Sequence, residues 1–309
     1  MRLYIAGITG MVGSALAFEA QNQGFEVIGK SSQELDFTNR SLAFKEINEE
    51  RPDALIIAAA KVGGIGANEL FPVDFLSVNL QIQTNLLDAA HSANIQKVLF
   101  LGSSCVYPKF APQPLQESSL LTGLLEPTNE PYALAKIAGL KLVQAYRKQF
   151  ARKWISAMPT NLYGPRDNFD FESAHVLPAL INRFNAAKEG NYSSVKIWGD
   201  GSPLREFLHV DDLAKACLLL LQEYDNEVPV NIGSGQEISI KNLAQLIAQI
   251  TGYKGQIEYD ISHPNGTPRK YLDSTKISAL GWSPTVNLQK GIATTYQWFL
   301  ANRKDRSQI

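Results

Sequence analysis

The sequence predicts an α/β fold, a doubly wound parallel sheet with a smaller C-terminal α/β lobe for a substrate, and three observations carry that reading. Short apolar runs of strand length alternate with segments of helical spacing. The runs are apolar throughout instead of at every second residue, as strands covered on both faces are. The first run meets a glycine-rich turn and then a helical segment, the local order of a dinucleotide-binding unit. With 309 residues, 45% of them hydrophobic, the chain can bury one large core and a smaller one.

Residues 2–6 read as a short buried strand, Gly7-Ile8-Thr9-Gly10-Met11-Val12-Gly13 as a turn and residues 14–20 as a helix. Glycines let a backbone turn tightly and approach a pyrophosphate, whose charge the helix N-terminus then meets. The spacing G-x2-G-x2-G suits the dehydrogenase/reductase branch of such Rossmann-like units. Next come a strand at 25–29, a polar loop at 30–35 and a helix entered through Asp36-Phe37-Thr38-Asn39. Strands follow at 54–58 and 97–101, with helices at 79–92 and 132–150. Ligands bind outside the carboxyl ends of parallel strands. The glycine turn, Ala58-Ala59-Ala60-Lys61, Ser103-Ser104-Cys105 and Pro159-Thr160-Asn161-Leu162 all follow strands, so they should converge there.

Beyond Gly164 the alternation is interrupted by Pro165, Asn168 and Pro178 before an amphipathic stretch at 179–188. A strand at 195–198, helices at 211–221, 240–251 and 288–301, and a strand at 228–232 complete the pattern, and residues 302–309 are polar enough to fray. Residues 1–164 with 205–233 are expected to form the dinucleotide-binding domain, and 165–204 with 234–309 the substrate lobe.

A formal net charge of −1 offers no general attraction to nucleic acid or an acidic membrane. No apolar run reaches the roughly 18 residues a membrane span needs. Only Cys105 and Cys217 occur, which argues against a disulfide framework and for a reducing, cytoplasmic location. The apolar N-terminus is broken by three turn glycines, so it reads as strand, turn and helix and not as a leader.

Gly102-Ser103-Ser104-Cys105-Val106-Tyr107-Pro108 and Tyr132-Ala133-Leu134-Ala135-Lys136 put a hydroxyl, a thiol and a Tyr/Lys pair into one site. A Tyr four residues before a Lys shares its helix face, so the ammonium can favour the ionised phenol. A phenol titrating at about 10 otherwise carries protons poorly at neutral pH. A lone pair of this spacing is usually surface decoration, and the glycine turn upstream is what raises it above that. Cysteine is usually a small buried hydrophobe. Cys217, inside an apolar helix, keeps that reading, whereas Cys105 follows a serine pair at a strand end. His91 is expected to face solvent, and His209 carries no role. No His/Cys/carboxylate cluster has metal-ligand spacing, so no metal is expected.

Five longer segments carry a resemblance: Ala58-Ala59-Ala60-Lys61-Val62-Gly63-Gly64-Ile65, Leu101 through Lys109, Leu125 through Tyr132, Met158 through Pro165, and Arg205 through Asp212. Through them nearly the whole chain resembles the extended short-chain dehydrogenase/reductases, and within that family the bifunctional epimerase/reductases that turn GDP-4-keto-6-deoxy-mannose into GDP-L-fucose. The resemblance implies that Ser103 polarises a C4 ketone, Tyr132 delivers a proton to the developing alkoxide, and Lys136 holds the nicotinamide ribose while lowering the Tyr pKa. It assigns to Cys105 and His175 the inversion of C3 and C5 through an enolate. It places the cofactor against Gly7, Thr9, Gly10, Met11, Val12, Gly13, Lys30, Asp36, Phe37, Ala59, Pro159, Asn161 and Leu162, with Tyr132, Lys136 and His175 at the reacting end. It places a GDP-sugar against Val176, Arg183, Trp198, Arg205 and Lys270, where cations suit a diphosphate and an aromatic face suits a purine. It also implies a homodimer joined through the helices at 79–92 and 132–150.

The cofactor end departs from the family's pattern. Thr9 and Ser32 stand where relatives often carry basic residues for a 2′-phosphate, which leaves Lys30. No carboxylate directly ends the second strand to hold a ribose 2′-hydroxyl. NADP(H) is the favoured cofactor and NAD(H) stays open. A related GDP-4-keto-deoxyheptose is the alternative substrate. A 4,6-dehydratase would follow its site Ser/Thr with Asp-Glu, where this chain has Ser104-Cys105, and a plain 4-epimerase needs no Cys/His pair. A cofactor-sensing protein without turnover could discard Ser103, Tyr132 or Lys136, and all three are present.

Overall fold

Strand β1 (Arg2–Ala6) sits second in a six-stranded sheet of the computed structural model, which describes residues 1–262 and 265–303. The chain continues through α1 (Met11–Asn22), β2 (Glu26–Ile28), α2 (Arg40–Glu50), β3 (Ala54–Ile57), α3 (Ile65–Leu70), a π-helical turn (Asp74–Val78), α4 (Asn79–Ser92) and β4 (Lys97–Leu101). It then forms α5 (Glu130–Phe150), β5 (Ile155–Pro159), β6 (Asn161–Tyr163), α6 (Val176–Glu189), β7 (Ser194–Trp198), β8 (Leu204–His209), α7 (Val210–Glu223) and β9 (Val230–Ile232). Last come β10 (Glu237–Ser239), α8 (Ile240–Thr251), β11 (Gln256–Asp260), β12 (Arg269–Lys270), α9 (Thr275–Ala279) and α10 (Leu288–Asn302).

The main sheet runs β2-β1-β3-β4-β5-β9, and every pairing is parallel. The chain leaves β1 to one side for β2 and returns on the other side for β3, so the strand order reverses between β1 and β3. A crevice opens at such a switch point, outside the carboxyl ends of the strands. Alternate strand residues divide the core as the pleat requires. Tyr4, Leu55, Val98 and Phe100 pack with Ile47, Leu86 and Leu140 from α2, α4 and α5. Leu3, Ile56, Leu99 and Leu101 pack with Leu16, Leu213 and Leu218 from α1 and α7. A separate core built on Leu180, Phe184, Ile247 and Ile292 holds the smaller lobe, where β7 pairs β11 and β8 is flanked by β6, β10 and β12.

The doubly wound parallel sheet and the second lobe agree with the sequence reading, and the differences have local causes. Helix α1 begins at Met11, ahead of the expected Ser14, because Gly13 already lies in its first turn against the Gly7 carbonyl. Pro178 does not interrupt α6; it falls in the first turn, where its missing N–H costs nothing. Helix α3 was not expected, and neither were strands β6 and β8. His91 does not face solvent freely. It packs against Tyr146 and Phe150, and its Nδ1 lies 3.2 Å from Arg152 Nε. His209 is buried and caps α7, its Nδ1 accepting from the Asp211 amide at 3.3 Å. The end of the polar tail, residues 304–309, lies outside the described residues. No helix among the described residues is long and apolar enough to cross a membrane.

Asp212 ties the C-terminal segment to the large domain. Its fully buried carboxylate accepts from the Thr285 amide at 2.9 Å, the Thr285 hydroxyl at 2.7 Å and the Val286 amide at 2.8 Å. Hydrogen bonds to a charged acceptor contribute about 1.5–3 kcal/mol each, and losing the acceptor removes all three of them at once. Asp212→Ala is therefore expected to lower the unfolding free energy by at least about 2 kcal/mol in urea titration. An unchanged midpoint would mean that the segment is anchored elsewhere.

Candidate active site

Four connections meet over the switch point. Ala58 donates its amide to Ala6 at 3.0 Å, so the turns after β1 and β3 leave the sheet side by side. Gly7 there has φ +86°, and a Cβ on it would lie 2.8 Å from the Ala59 nitrogen. A Cβ on Gly13 would collide with the Gly7 carbonyl. The result is bare backbone at the N-terminus of α1, a cradle that side chains would fill and that suits a pyrophosphate. Every catalytic, cofactor and substrate candidate named from the sequence lines one cleft of about 760 Å³ that starts at this cradle.

Ser103 and Cys105 stand in the turn after β4, and Tyr132 and Lys136 on the first two turns of α5. Lys136 is buried, donates to the Leu101 carbonyl at 2.8 Å, and lies 4.9 Å from the Phe100 ring centroid and 5.8 Å from that of Tyr132. Burial lowers its ammonium to about 8. Burial also pushes the Tyr132 phenol up, and the neighbouring Cys105 adds to the rise while the hydrogen bond to Ser103 opposes it. This corrects one expectation. The Tyr132 phenol is held above its ordinary value, because desolvation of a phenolate outweighs an ammonium that sits on the ring face and spends its hydrogen bond on a carbonyl.

Cys105 faces the other end of the same space. Its sulfur accepts from Asn129 Nδ2 at 3.3 Å and from Lys270 Nζ at 3.5 Å, while its amide donates to Ser103 Oγ at 3.2 Å. His175 is the N-cap residue of α6 and leaves its side chain free of capping. It has solvent access through the cleft mouth, yet the surrounding walls and the Lys270 charge hold its imidazole below the ordinary value. Lys270 therefore acts on both Cys105 and His175, a placement the sequence did not reveal when it read Lys270 as a diphosphate contact.

Farther out, the Arg183 guanidinium lies 5.6 Å from the Trp198 ring centroid. Trp198 is half exposed, not a core residue, and stands beside the cation. Arg205 donates to the Leu204 carbonyl at 2.9 Å, and burial lowers its pKa while Cys105 and Glu126 raise it. Val176 borders the same wall. Two carboxylates missed from the sequence organise this region. Glu126 accepts from Lys109 at 3.0 Å and from the Thr267 hydroxyl at 3.1 Å, joining the turn that carries Asn129 to the segment that carries Lys270. Asp167 has an oxygen without a partner, and burial raises its carboxyl to about 7.

At the opposite end Lys30 is not a free cation. It forms a 2.5 Å ion pair with Glu46 Oε2, and the other Glu46 oxygen accepts from the Tyr4 hydroxyl at 3.0 Å. Thr9 and Ser32 add neutral donors, and Asp36 accepts from its neighbour Thr38 at 2.9 Å. No group of three or more His, Cys, Asp or Glu among the described residues is placed to hold a metal ion.

The sequence profile of the NAD dependent epimerase/dehydratase family matches residues 3–233. The chain belongs to that family. It is 54% identical over 302 residues to GDP-L-fucose synthase 1 of Arabidopsis thaliana, covering 97% of this chain and 94% of that one. A GDP-6-OMe-4-keto-L-xylo-heptose reductase from C. jejuni superposes with a TM-score of 0.92 at 33% identity, covering 98% of both chains. A GDP-L-fucose synthetase from Naegleria fowleri bound to NADP superposes with a TM-score of 0.89 at 27% identity, covering 97% of this chain and 94% of that one.

The Glu46–Lys30 pair makes a prediction about the adenosine end. A 2′-phosphate placed at Lys30 would share it with a buried carboxylate of its own sign, so Glu46→Gln should tighten NADPH binding roughly tenfold and leave NADH nearly unchanged. Fluorescence titration of both dinucleotides measures this, and equal effects on the two would remove Glu46 from the discrimination.

Proposed function

We propose that this chain is an NADP(H)-dependent GDP-L-fucose synthase: it inverts C3 and C5 of GDP-4-keto-6-deoxy-D-mannose through an enolate and then reduces C4. The observation that carries the reading is the meeting of two proton-handling sets in one cleft. Ser103, Tyr132 and Lys136 serve a carbonyl, and Cys105 and His175, with Lys270 acting on both, serve carbon-bound protons. The likeness to GDP-L-fucose synthases along nearly the whole chain supports the same substrate. The structural match to a heptose reductase is the basis of a second reading, a related GDP-4-keto-heptose substrate, and the lower sequence identity places it second.

The cleft fits the cofactor. The glycine cradle and the α1 N-terminus would hold the pyrophosphate, Lys30 and Thr9 the adenosine end, and Ala59, Asn161 and Leu162 the nicotinamide half. When bound, the dinucleotide supplies the hydride that C4 receives. Lys136 would hold the nicotinamide ribose. Residues 1–164 with 205–233 would carry the cofactor, and 165–204 with 234–309 the GDP-sugar. Arg183, Arg205 and Lys270 would meet the diphosphate charge and Trp198 would stack on the base.

Chemistry starts at the ketone. A C4 carbonyl makes the hydrogens on C3 and C5 acidic, and Ser103 and Tyr132 hydrogen-bond the oxygen as negative charge gathers on it. Cys105, as its thiolate, takes the carbon-bound proton, leaving the enolate, and His175, protonated from solvent, returns one to the opposite face. The thiol gives up its proton and the imidazole takes one through water before the second centre is inverted. The ammonium of Lys270 beside both groups favours the anionic intermediate. After both centres are inverted, C4 accepts hydride and its oxygen takes the Tyr132 proton. A cytoplasmic homodimer completes the proposal; the half-exposed Leu134 and Phe150 on α5 support joining through α4 and α5.

Two measurements test this. Without reduced cofactor, in heavy water, the protein should wash deuterium into C3 and C5 of the 4-keto sugar nucleotide, and Cys105→Ser should abolish the wash-in while still binding NADPH. Reduction at C4 with neither carbon labelled would leave only a 4-reductase. The second concerns pH. Lys136 is lowered to about 8, so its ammonium is lost as pH rises through that value, whereas the Tyr132 phenol, pushed up, keeps its proton. NADPH affinity should therefore weaken above pH about 8, and a flat profile through that range would detach the ribose contact from the Lys136 charge.

A further inference from the structure

The strap of chain from Lys61 to Asn68, which follows β3 and runs into the first turn of α3, is held more tightly than a connection needs. Two buried asparagines clamp it. Asn79 accepts from the Lys61 amide at 2.9 Å and donates to the Lys61 carbonyl at 3.0 Å and the Phe75 carbonyl at 2.7 Å. Asn68 donates to the Gly63 carbonyl at 3.0 Å and the Gly64 carbonyl at 2.9 Å. Between the clamps the backbone presses directly on the segment that leads into His175. Gly64 donates its amide to the Ser173 carbonyl at 2.8 Å, and a Cβ on Gly64 would collide with the Ala174 carbonyl. A Cβ on Gly63 would lie 3.3 Å from the Ser173 carbonyl and 3.0 Å from the Phe75 ring. That ring meets Tyr132 edge-on, with centroids 6.4 Å apart.

No side chain intervenes between the strap and residues 173 and 174, so the two backbones set each other's position. His175 is the next residue, and its own imidazole makes no capping bond that would hold it. Phe75 belongs to the π-helical turn, a local irregularity often found beside functional sites, and it joins the strap to the helix that carries Tyr132. The same strap thus touches the supports of both proton-handling sets.

We propose that Gly64 and Asn68 are positioning residues for His175: the Asn68-clamped strap seats the Ser173–Ala174 backbone, and that seat fixes the imidazole against the substrate. The consequence for catalysis rests on the epimerase reading above; the seat itself does not. In Gly64→Ala the added methyl must displace residue 174, whereas Asn68→Ala removes the side-chain bonds to both strap carbonyls without adding bulk, leaving the Gly64 carbonyl only its 3.1 Å bond from the residue 68 amide.

The test uses the whole protein labelled at histidine, with the His175 imidazole signal assigned by its absence in His175→Gln. At fixed pH, both variants should move the His175 signal and leave that of His209 in place. Misplacing a reacting group by about 1 Å can cost about 100-fold in rate, so deuterium wash-in should fall about 100-fold in Gly64→Ala and less in Asn68→Ala, with the NADPH dissociation constant unchanged. A stationary His175 signal with full wash-in would overturn the proposal. So would loss of wash-in together with NADPH binding and thermal stability, since that marks general damage. If Gly64→Ala does not fold, Asn68→Ala decides by the same readouts. If the unsubstituted protein gives no wash-in but the His175 signal still moves in the variants, the epimerase reading fails and the positioning role stands.

Discussion

Parallel pairing of β1 with β3, in register to Ala6 and Ile57, is the constraint on which the site depends. It brings two turns off the sheet at one place, and Gly7 could hold no side chain where the Ala59 backbone lies against it. The crossed strand order does the rest by placing α1 with α7 on one face of the sheet and α2, α4 and α5 on the other. Loops rooted in so rigid an edge can place catalytic groups with little freedom of their own. The helix that carries Tyr132 and Lys136 is tied to this edge through the Leu101 carbonyl.

Burial of Lys136 is the costly part of that arrangement. An ammonium with a single carbonyl partner and two aromatic faces has lost most of its hydration, and its lowered pKa expresses the loss. The fold tolerates it because the helix is packed elsewhere by Ile137, Leu140 and Val143. The Tyr132 phenol suffers the same desolvation. A site that raises its proton donor and lowers its nearby cation is poised for a ligand that brings hydroxyls and charge of its own, which is what a ribose and a polarised ketone would provide.

Much of this was legible in the chain. The apolar, non-alternating runs announced β1, β3 and β4, and the glycine spacing announced the cradle, because both are local patterns with local physical causes. The glycine turn and the Ser103, Cys105, Tyr132 and Lys136 group stood out from local sequence, whereas His175, Val176, Arg183, Trp198, Arg205 and Lys270 were named only through the resemblance to a family. What stayed hidden was partnership at a distance. Nothing near Lys30 in the sequence points to Glu46, and nothing near Val62-Gly63-Gly64 points to Ser173 or to the asparagines that clamp the strap. The same holds for Lys270, whose position beside Cys105 depends on how β12 pairs with β8. Short strands such as β6 escaped for another reason: three residues cannot display a period.

Electrostatics then separates the two halves of the cleft. At the adenosine end Lys30 is neutralised by Glu46, so a 2′-phosphate finds no uncompensated charge at that lysine. At the sugar end Arg183, Arg205 and Lys270 line the cleft with Trp198 beside them. The burial that lowers the two arginines' pKa values marks a guanidinium pair only partly hydrated before any ligand arrives. A diphosphate entering there replaces lost hydration with opposite charge, and the gain is largest where desolvation has already been suffered. On the proposed assignment, recognition of the nucleotide sugar would rely on partly buried charge, and recognition of the dinucleotide on backbone geometry that no side chain obstructs.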